Sequence, residues 1–213
     1  MADIRAVLWD FGGVLTTSPF EAFNRYEASA GIPRDFIRRV NATNPDRNAW
    51  ARLESSQIGV EEFDREFERE SRALGHPVPG RAVLELLSGD LRPRMVEALR
   101  SCKRRYRVAC LTNNVRSGEG PAMARTSERA QASQLVMALF DFVIESSKEG
   151  IRKPNPEFYL RACRALEIEP VEAVYLDDLG INLKPARELG MTTIKVVTED
   201  QALEELAALV DLT

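Results

Sequence analysis

The run IRAVLWD, residues 4–10, stays apolar and partly β-branched almost without alternation until it reaches Asp10 and a Gly-Gly pair. A short continuous run that ends at a turn signal predicts a buried parallel strand. In SPFE, just after it, Ser18 stands as an N-cap, Pro19 at the first helical position and Glu21 three residues after the cap, so a capping box and a helix start are expected. From there to about residue 75 the pattern is helical: Phe20 and Phe23, Ile37 and Val40, then Val60, Phe63, Phe67 and Leu74 recur at three- and four-residue multiples. GHPVPG, residues 75–80, breaks that pattern and marks the expected return from a helical lobe.

Beyond the break, helical and strand patterns alternate. PRMVEALRSCKRR predicts a helix with Met95, Val96, Leu99 and Cys102 on its apolar side, and YRVACLTNN a strand ending in polar residues. FDFVIESS, EAVYLDD and TTIKVV read as further strands, separated by the helical segments PEFYLRACRAL and NLKPARELG. This βα repeat predicts an α/β fold, a doubly wound parallel sheet with helices on both faces and an inserted α-helical cap. The expected division is a core of residues 1–16 and 81–213 and a cap of residues 17–80.

Composition narrows the partners. A chain of 213 residues, 44% hydrophobic, can bury one substantial core plus an insertion. Its 29 basic and 33 acidic residues give a formal charge of −4, which makes no electrostatic case for nucleic acid or an anionic membrane; a small-molecule partner is expected. Cys102, Cys110 and Cys163 are odd in number and lack the close pairing of a zinc or redox motif, so they read as ordinary thiols of a reducing compartment. Asp10 interrupts the only early apolar run, so neither a signal peptide nor a membrane span is expected, and the location reads as cytoplasmic. The single histidine, His76, lies in the Pro/Gly break, a poor place for a Ser-His-Asp or Cys-His arrangement. VRSGEGPAMARTSERAQ, residues 115–131, lacks the spacing of a nucleotide-binding P-loop; its Arg116, Arg125 and Arg129 either shape a substrate opening or belong to a solvated loop and helix.

In sheets of this kind ligands bind outside the carboxyl ends of the strands. The expected strands end in Asp10, in Thr112-Asn113-Asn114 and in Asp177-Asp178. Oxygen ligands from strand ends suit a hard divalent cation, and Mg²⁺ commonly takes one or two carboxylates together with water and phosphate oxygens. Lys153 precedes Pro154, which keeps it out of a helix and in a loop able to reach the same crevice. Each residue alone has an ordinary local reading as a turn, a cap or a solvated lysine, with Lys148 and Arg152 close enough to compete for the role of Lys153. Their joint order is what points to phosphate chemistry.

Asp10 after its apolar strand, LTNN, RKPNP and VYLDDLGINLKPARELGM resemble, in that order, the four motifs of the haloacid dehalogenase superfamily, with the helical insertion in the position of that family's cap. ESSKEGIRKPNPEFY and YLDDLGINLKPARELGM resemble more closely the N-terminal phosphatase domain of the bifunctional soluble epoxide hydrolases and its single-domain bacterial relatives. The resemblance implies that Asp10 is a nucleophile, taking the phosphoryl group of a small phosphorylated metabolite as an aspartyl phosphate and also ligating Mg²⁺. It implies that Thr112 and the backbone amide of Asn113 hold phosphate oxygens and that Lys153 bridges Asp10 and the phosphoryl group. Asp178 would complete the metal site, with Asp177 acting through water or as the alternative ligand. The cap would exclude water and select substrates.

One position departs from the resemblance. Many phosphatases of this family carry a general acid two residues after the nucleophile, where this chain has Gly12. Glycine keeps the backbone carbonyl that the family uses as a metal contact but offers no proton. Since general acid catalysis is worth about 10²- to 10⁴-fold, turnover is expected to be slow or limited to good leaving groups such as acyl, aryl or anomeric phosphates. The alternatives are a protein that binds phosphorylated metabolites without turning them over, a haloacid dehalogenase, and a phosphotransferase or mutase.

Overall fold

Five short strands carry the fold in the computed structural model, which describes residues 3–114 and 127–212. They are β1 (Ala6–Trp9), β2 (Arg107–Thr112), β3 (Phe142–Glu145), β4 (Ala173–Asp177) and β5 (Thr192–Lys195). All pairings are parallel, in the order β3-β2-β1-β4-β5. Five helices, α1 (Pro19–Ser29), α2 (Phe36–Ala42), α3 (Ala49–Glu54), α4 (Val60–Ala73) and α5 (Gly80–Glu85), follow β1, and α6 (Pro93–Lys103) leads into β2. Then come α7 (Ser127–Met137) before β3, α8 (Ser146–Glu149) and α9 (Pro156–Leu166) before β4, α10 (Gly180–Glu188) before β5, and α11 (Glu199–Ala207).

The unalternating strands are explained by cover on both faces. Successive side chains point to opposite sides, so Val7, Trp9, Val108, Cys110, Val174 and Leu176 join Met95 and Leu99 of α6 and Leu206 of α11 in one cluster. Ala6, Leu8, Ala109, Leu111, Ala173 and Tyr175 meet Phe158 of α9 and Leu183 of α10 in the other. A doubly wound α/β sheet is therefore present, as the repeat predicts.

The helices after β1 have a hydrophobic cluster of their own, built on Phe23, Ile37, Val40, Phe63 and Phe67 and joined by Val83 and Leu84 of α5, so this packing continues past residue 80. The fully buried Glu27 accepts from the backbone N–H groups of Asp35 (2.7 Å) and Ile37 (2.8 Å), supplying the N-terminus of α2 with an acceptor. The chain leaves and returns along neighbouring segments. Thr16 and Leu91 form an antiparallel bridge, Thr17 N–H donates to the Asp90 carbonyl at 2.8 Å, and Arg92 N–H donates to the Leu15 carbonyl at 2.8 Å.

Two local expectations change. Ser18 caps α1 by accepting from Phe20 N–H at 3.5 Å, but Glu21 lies 3.9 Å from Arg25, one turn ahead, rather than folding back to close a capping box. The strand read from FDFVIESS stops at Glu145, because Ser146 and Ser147 turn into α8 and bond to Asn114. Among the described residues no helix is long and apolar enough to cross a membrane.

Candidate active site

Register places the first two carboxylates. β1 pairs with β4 so that Trp9 faces Leu176, and Asp10 N–H extends the ladder to the Leu176 carbonyl at 2.9 Å. Asp10, one residue beyond β1, and Asp177, the last of β4, thus emerge side by side at the carboxyl edge. Asp178 follows at once.

Lys153 arrives from the segment between α8 and α9 and is fixed by Asn113. The Asn113 side chain accepts from Lys153 N–H at 2.9 Å and donates to the Lys153 carbonyl at 3.1 Å, so one amide grips both backbone groups of the lysine. The Lys153 ammonium, 1% exposed, then sits 2.9 Å from Asp10 Oδ1 and 2.8 Å from Asp177 Oδ2.

The two neighbouring aspartates are dissimilar. Asp177 is fully buried, and its oxygens accept from Lys153, from the Tyr175 hydroxyl, from Leu179 N–H at 2.8 Å and from Asn182 Nδ2 at 3.1 Å. Asp178 is half-buried, and among the described residues its one side-chain hydrogen bond comes from the Ser18 hydroxyl, which donates to Oδ2 at 3.5 Å. Its carboxylate lies against Gly13, where a Cβ would fall 2.2 Å from Oδ2 and where φ is +75°. Gly13 is therefore required by both backbone and contact. Gly12 is different: a Cβ there would meet nothing within 4 Å.

Crowded carboxylates strain the local charge balance. Burial pushes the Asp10 carboxyl upward, Lys153 pulls it back, and Asp177 and Asp178 push it up again, leaving it well above the usual carboxylate range. Burial, followed by the charge of Asp177, raises Asp178 to about 7. Burial by itself would lower the Lys153 ammonium, but Asp10 and Asp177 on either side hold it above its ordinary value. Asp10, Asp177 and Asp178 each bring an oxygen within 4.8 Å of the others, the hard-donor cluster that a small divalent cation fits and would neutralise.

A cavity of about 360 Å³ opens on this cluster. Asp10, Gly12, Thr112, Asn113, Lys153 and Asp178 line it from the sheet, while Phe20, Phe23, Trp50 and Glu54 line it from the helices. Asp177 lies behind that wall. Asn114, expected to face the crevice with Thr112 and Asn113, turns away: it donates to Glu145 Oε1 at 2.7 Å and ties β2 to β3 and α8. Residues 115–126, on which Arg116 and Arg125 fall, lie outside the described residues.

Several participants escaped the sequence reading. Tyr175 precedes Asp177 by two residues and so shares its strand face, and Asn182 sits in the first turn of the next helix; both spacings are visible once Asp177 is known to be buried. Glu54, paired with Arg152, has no such signal, because α3 is a single short helix whose placement depends on tertiary packing.

The motif order has its counterpart among known proteins. The haloacid dehalogenase-like hydrolase family matches residues 4–190. This chain belongs to that family. It is 33% identical over 211 residues to acyl-CoA dehydrogenase family member 10 of Mus musculus, covering 96% of this chain and 19% of that protein. It is 30% identical over 217 residues to bifunctional epoxide hydrolase 2 of Mus musculus, covering 95% of this chain and 38% of that protein. The chain thus spans well under half the length of either relative. A sesquiterpene phosphatase of Aspergillus oryzae is 24% identical over 208 residues, covering 97% and 96%. Among solved structures, a dehalogenase superposes with a TM-score of 0.66 at 19% identity, covering 99% and 98%. A family enzyme of Bacteroides thetaiotaomicron solved with magnesium and inorganic phosphate gives 0.56 at 20% identity, covering 90% and 93%. These likenesses give the family hydrolase its fold.

Proposed function

We propose that this family hydrolase is a Mg²⁺-dependent phosphatase that acts on a small phosphorylated metabolite through an aspartyl-phosphate intermediate on Asp10. The observation that carries the reading is Lys153, held between Asp10 and Asp177 with Asp178 completing the carboxylate cluster at one cavity. A site that released halide from carbon would have no use for three converging carboxylates.

Asp10, Asp178 and the Gly12 carbonyl would hold the cation, and Asp177, whose oxygens already accept from four neighbours, acts as the anchor of Lys153. When bound, Mg²⁺ supplies positive charge to the phosphoryl oxygens and to the carboxylates around them. Asp10 attacks phosphorus, forming an Oδ–P bond as the bond to the leaving oxygen breaks; water then attacks the same phosphorus and frees Asp10 and phosphate. Lys153 offsets the charge of the phosphoryl group, and the Thr112 hydroxyl and the Asn113 N–H hold its oxygens. The helices between β1 and α6 act as the cap, excluding water from the cavity. Gly12 leaves the leaving oxygen without the family's usual acid, so acyl, aryl and anomeric phosphates are favoured over alkyl esters.

The test is a panel of phosphate esters assayed with Mg²⁺ and with chelator, Asp10→Asn serving as control. Turnover that needs both Mg²⁺ and Asp10 supports the reading. Full activity on a haloacid in chelator would replace it with a dehalogenase, and retention of a phosphate analogue without turnover of any ester would replace it with a binding protein.

A further inference from the structure

Glu54 is a buried carboxyl that the mechanism above leaves without a task. It ends α3 on the helical side of the cavity and is 7% exposed. Its Oε2 accepts from the Arg152 guanidinium and lies 3.5 Å from Asn113 Nδ2, the side chain that grips the Lys153 backbone. Glu54 therefore borders the ground on which the phosphoryl group is held in the proposed mechanism. Direction matters as well. Asp10 approaches phosphorus from the end of β1, and because attacking and leaving oxygens stand roughly in line, the leaving oxygen would point away from β1 into the cavity that Glu54 also lines.

We infer that Glu54 is the general acid and base of the reaction, supplying from the helical side the proton that Gly12 cannot. This rests on the phosphatase reading and adds a catalytic residue to it. The protonated Glu54 carboxyl gives its proton to the leaving oxygen as the P–O bond breaks and the Asp10 Oδ–P bond forms. The resulting carboxylate then takes a proton from the water that attacks phosphorus, the Asp10–P bond breaks, phosphate departs, and Glu54 is again protonated.

The surroundings suit both states of the group. Burial raises the Glu54 carboxyl, favouring the neutral acid, while Arg152, a hydrogen bond from Trp50 and the more remote charge of Lys153 favour the carboxylate left after transfer. A purely structural ion pair would bind the helical segment to the sheet segment, and Arg152 does also donate to the Pro45 carbonyl at 2.6 Å. The two roles make different kinetic predictions. Loss of a tether slows every substrate alike, whereas loss of an acid slows each ester according to how badly its leaving oxygen needs a proton.

The experiment compares the full chain with Glu54→Gln, in Mg²⁺, on a series of phosphate monoesters running from acidic phenols to simple alcohols. The expected result is a steeper dependence of kcat/KM on leaving-group pKa: nitrophenyl phosphate within about threefold of the parent and alkyl phosphates down by about 10²-fold or more. Gly12→Asp in the Glu54→Gln background should recover alkyl turnover, which a fold defect would not allow. An equal fall across the series, or no fall anywhere, overturns the inference while leaving the phosphatase reading intact. A parent protein that turns over no phosphate ester overturns both.

Discussion

The Lys153 ammonium and the Asp177 carboxylate meet at 2.8 Å with 1% and 0% of their side chains exposed, so neither has water to fall back on if the other is removed. Breaking a buried pair by truncating one member strands the remaining charge, a loss of about 3–5 kcal/mol. Lys153→Ala is expected to lower stability by that order and to abolish turnover, because Asp10 loses its partner as well. Denaturant unfolding followed by circular dichroism checks the first effect; a midpoint equal to the parent's would mean that the pair is not closed to solvent.

Adjacent glycines should respond in opposite ways. Gly13→Ala puts a Cβ 2.2 Å from Asp178 Oδ2 at a φ of +75°, so Asp178 must move, with an expected stability loss of about 1–3 kcal/mol and weaker Mg²⁺ binding. Gly12→Asp enters open space and should change stability by less than about 1 kcal/mol. In a Glu54→Gln background it should also raise alkyl phosphate turnover. If thermal melts and Mg²⁺ titrations confirm an intact double variant whose alkyl turnover is no better than that of Glu54→Gln alone, a missing acid is not what limits it.

Asp178 sets the direction of a pH effect. Its folded-state value, raised by burial and by Asp177 from the ordinary 3.8 to about 7, exceeds the unfolded one, so between those limits the folded chain holds a proton that the unfolded chain releases. Metal-free stability from this group is present at low pH and declines as pH rises through about 7. Mg²⁺ competes with that proton, so its stabilisation should be larger near about pH 8 than near about pH 6. Melting temperatures with Mg²⁺ and with chelator at both values test this, and an equal Mg²⁺ shift at each would refute it.

Burial raises the three thiols, Cys102 to about 12, Cys163 to about 11 and Cys110 well above its ordinary value. Iodoacetamide at about pH 8 should leave the native protein unmodified and alkylate all three only in denaturant, as read by mass spectrometry. Rapid labelling of Cys110 in the native protein would contradict the depth at which it sits between β1 and β3.

How much of this was legible depended on whether local sequence or tertiary packing decided it. The strands from Val7, Val108 and Val174 could be read because burial on both faces erases polar alternation, leaving uninterrupted apolar runs. Asp10, Thr112 and Asp178 could be placed at one edge because strand ends converge there in any parallel α/β sheet, and Lys153 because Pro154 keeps it in a loop able to reach that edge. The division of labour between Asp177 and Asp178 could not, since it depends on Tyr175, Asn182 and Lys153 closing around one carboxylate and Gly13 making room for the other. Nor could Asn114, whose turn toward Glu145 is set by the β2–β3 register. Glu54 was hidden for the same reason: it meets Arg152, 98 positions later, only through the docking of α3 beside α8.

The most direct test is to quench the reaction in acid during turnover of an aryl phosphate with Mg²⁺ and to search the digested protein for a phosphoryl adduct by mass spectrometry. The proposed mechanism predicts a hydroxylamine-labile phosphate on the peptide containing Asp10, absent in Asp10→Asn and absent without Mg²⁺. Steady turnover of the phosphate by Asp10→Asn, or an adduct on any other residue, would contradict it.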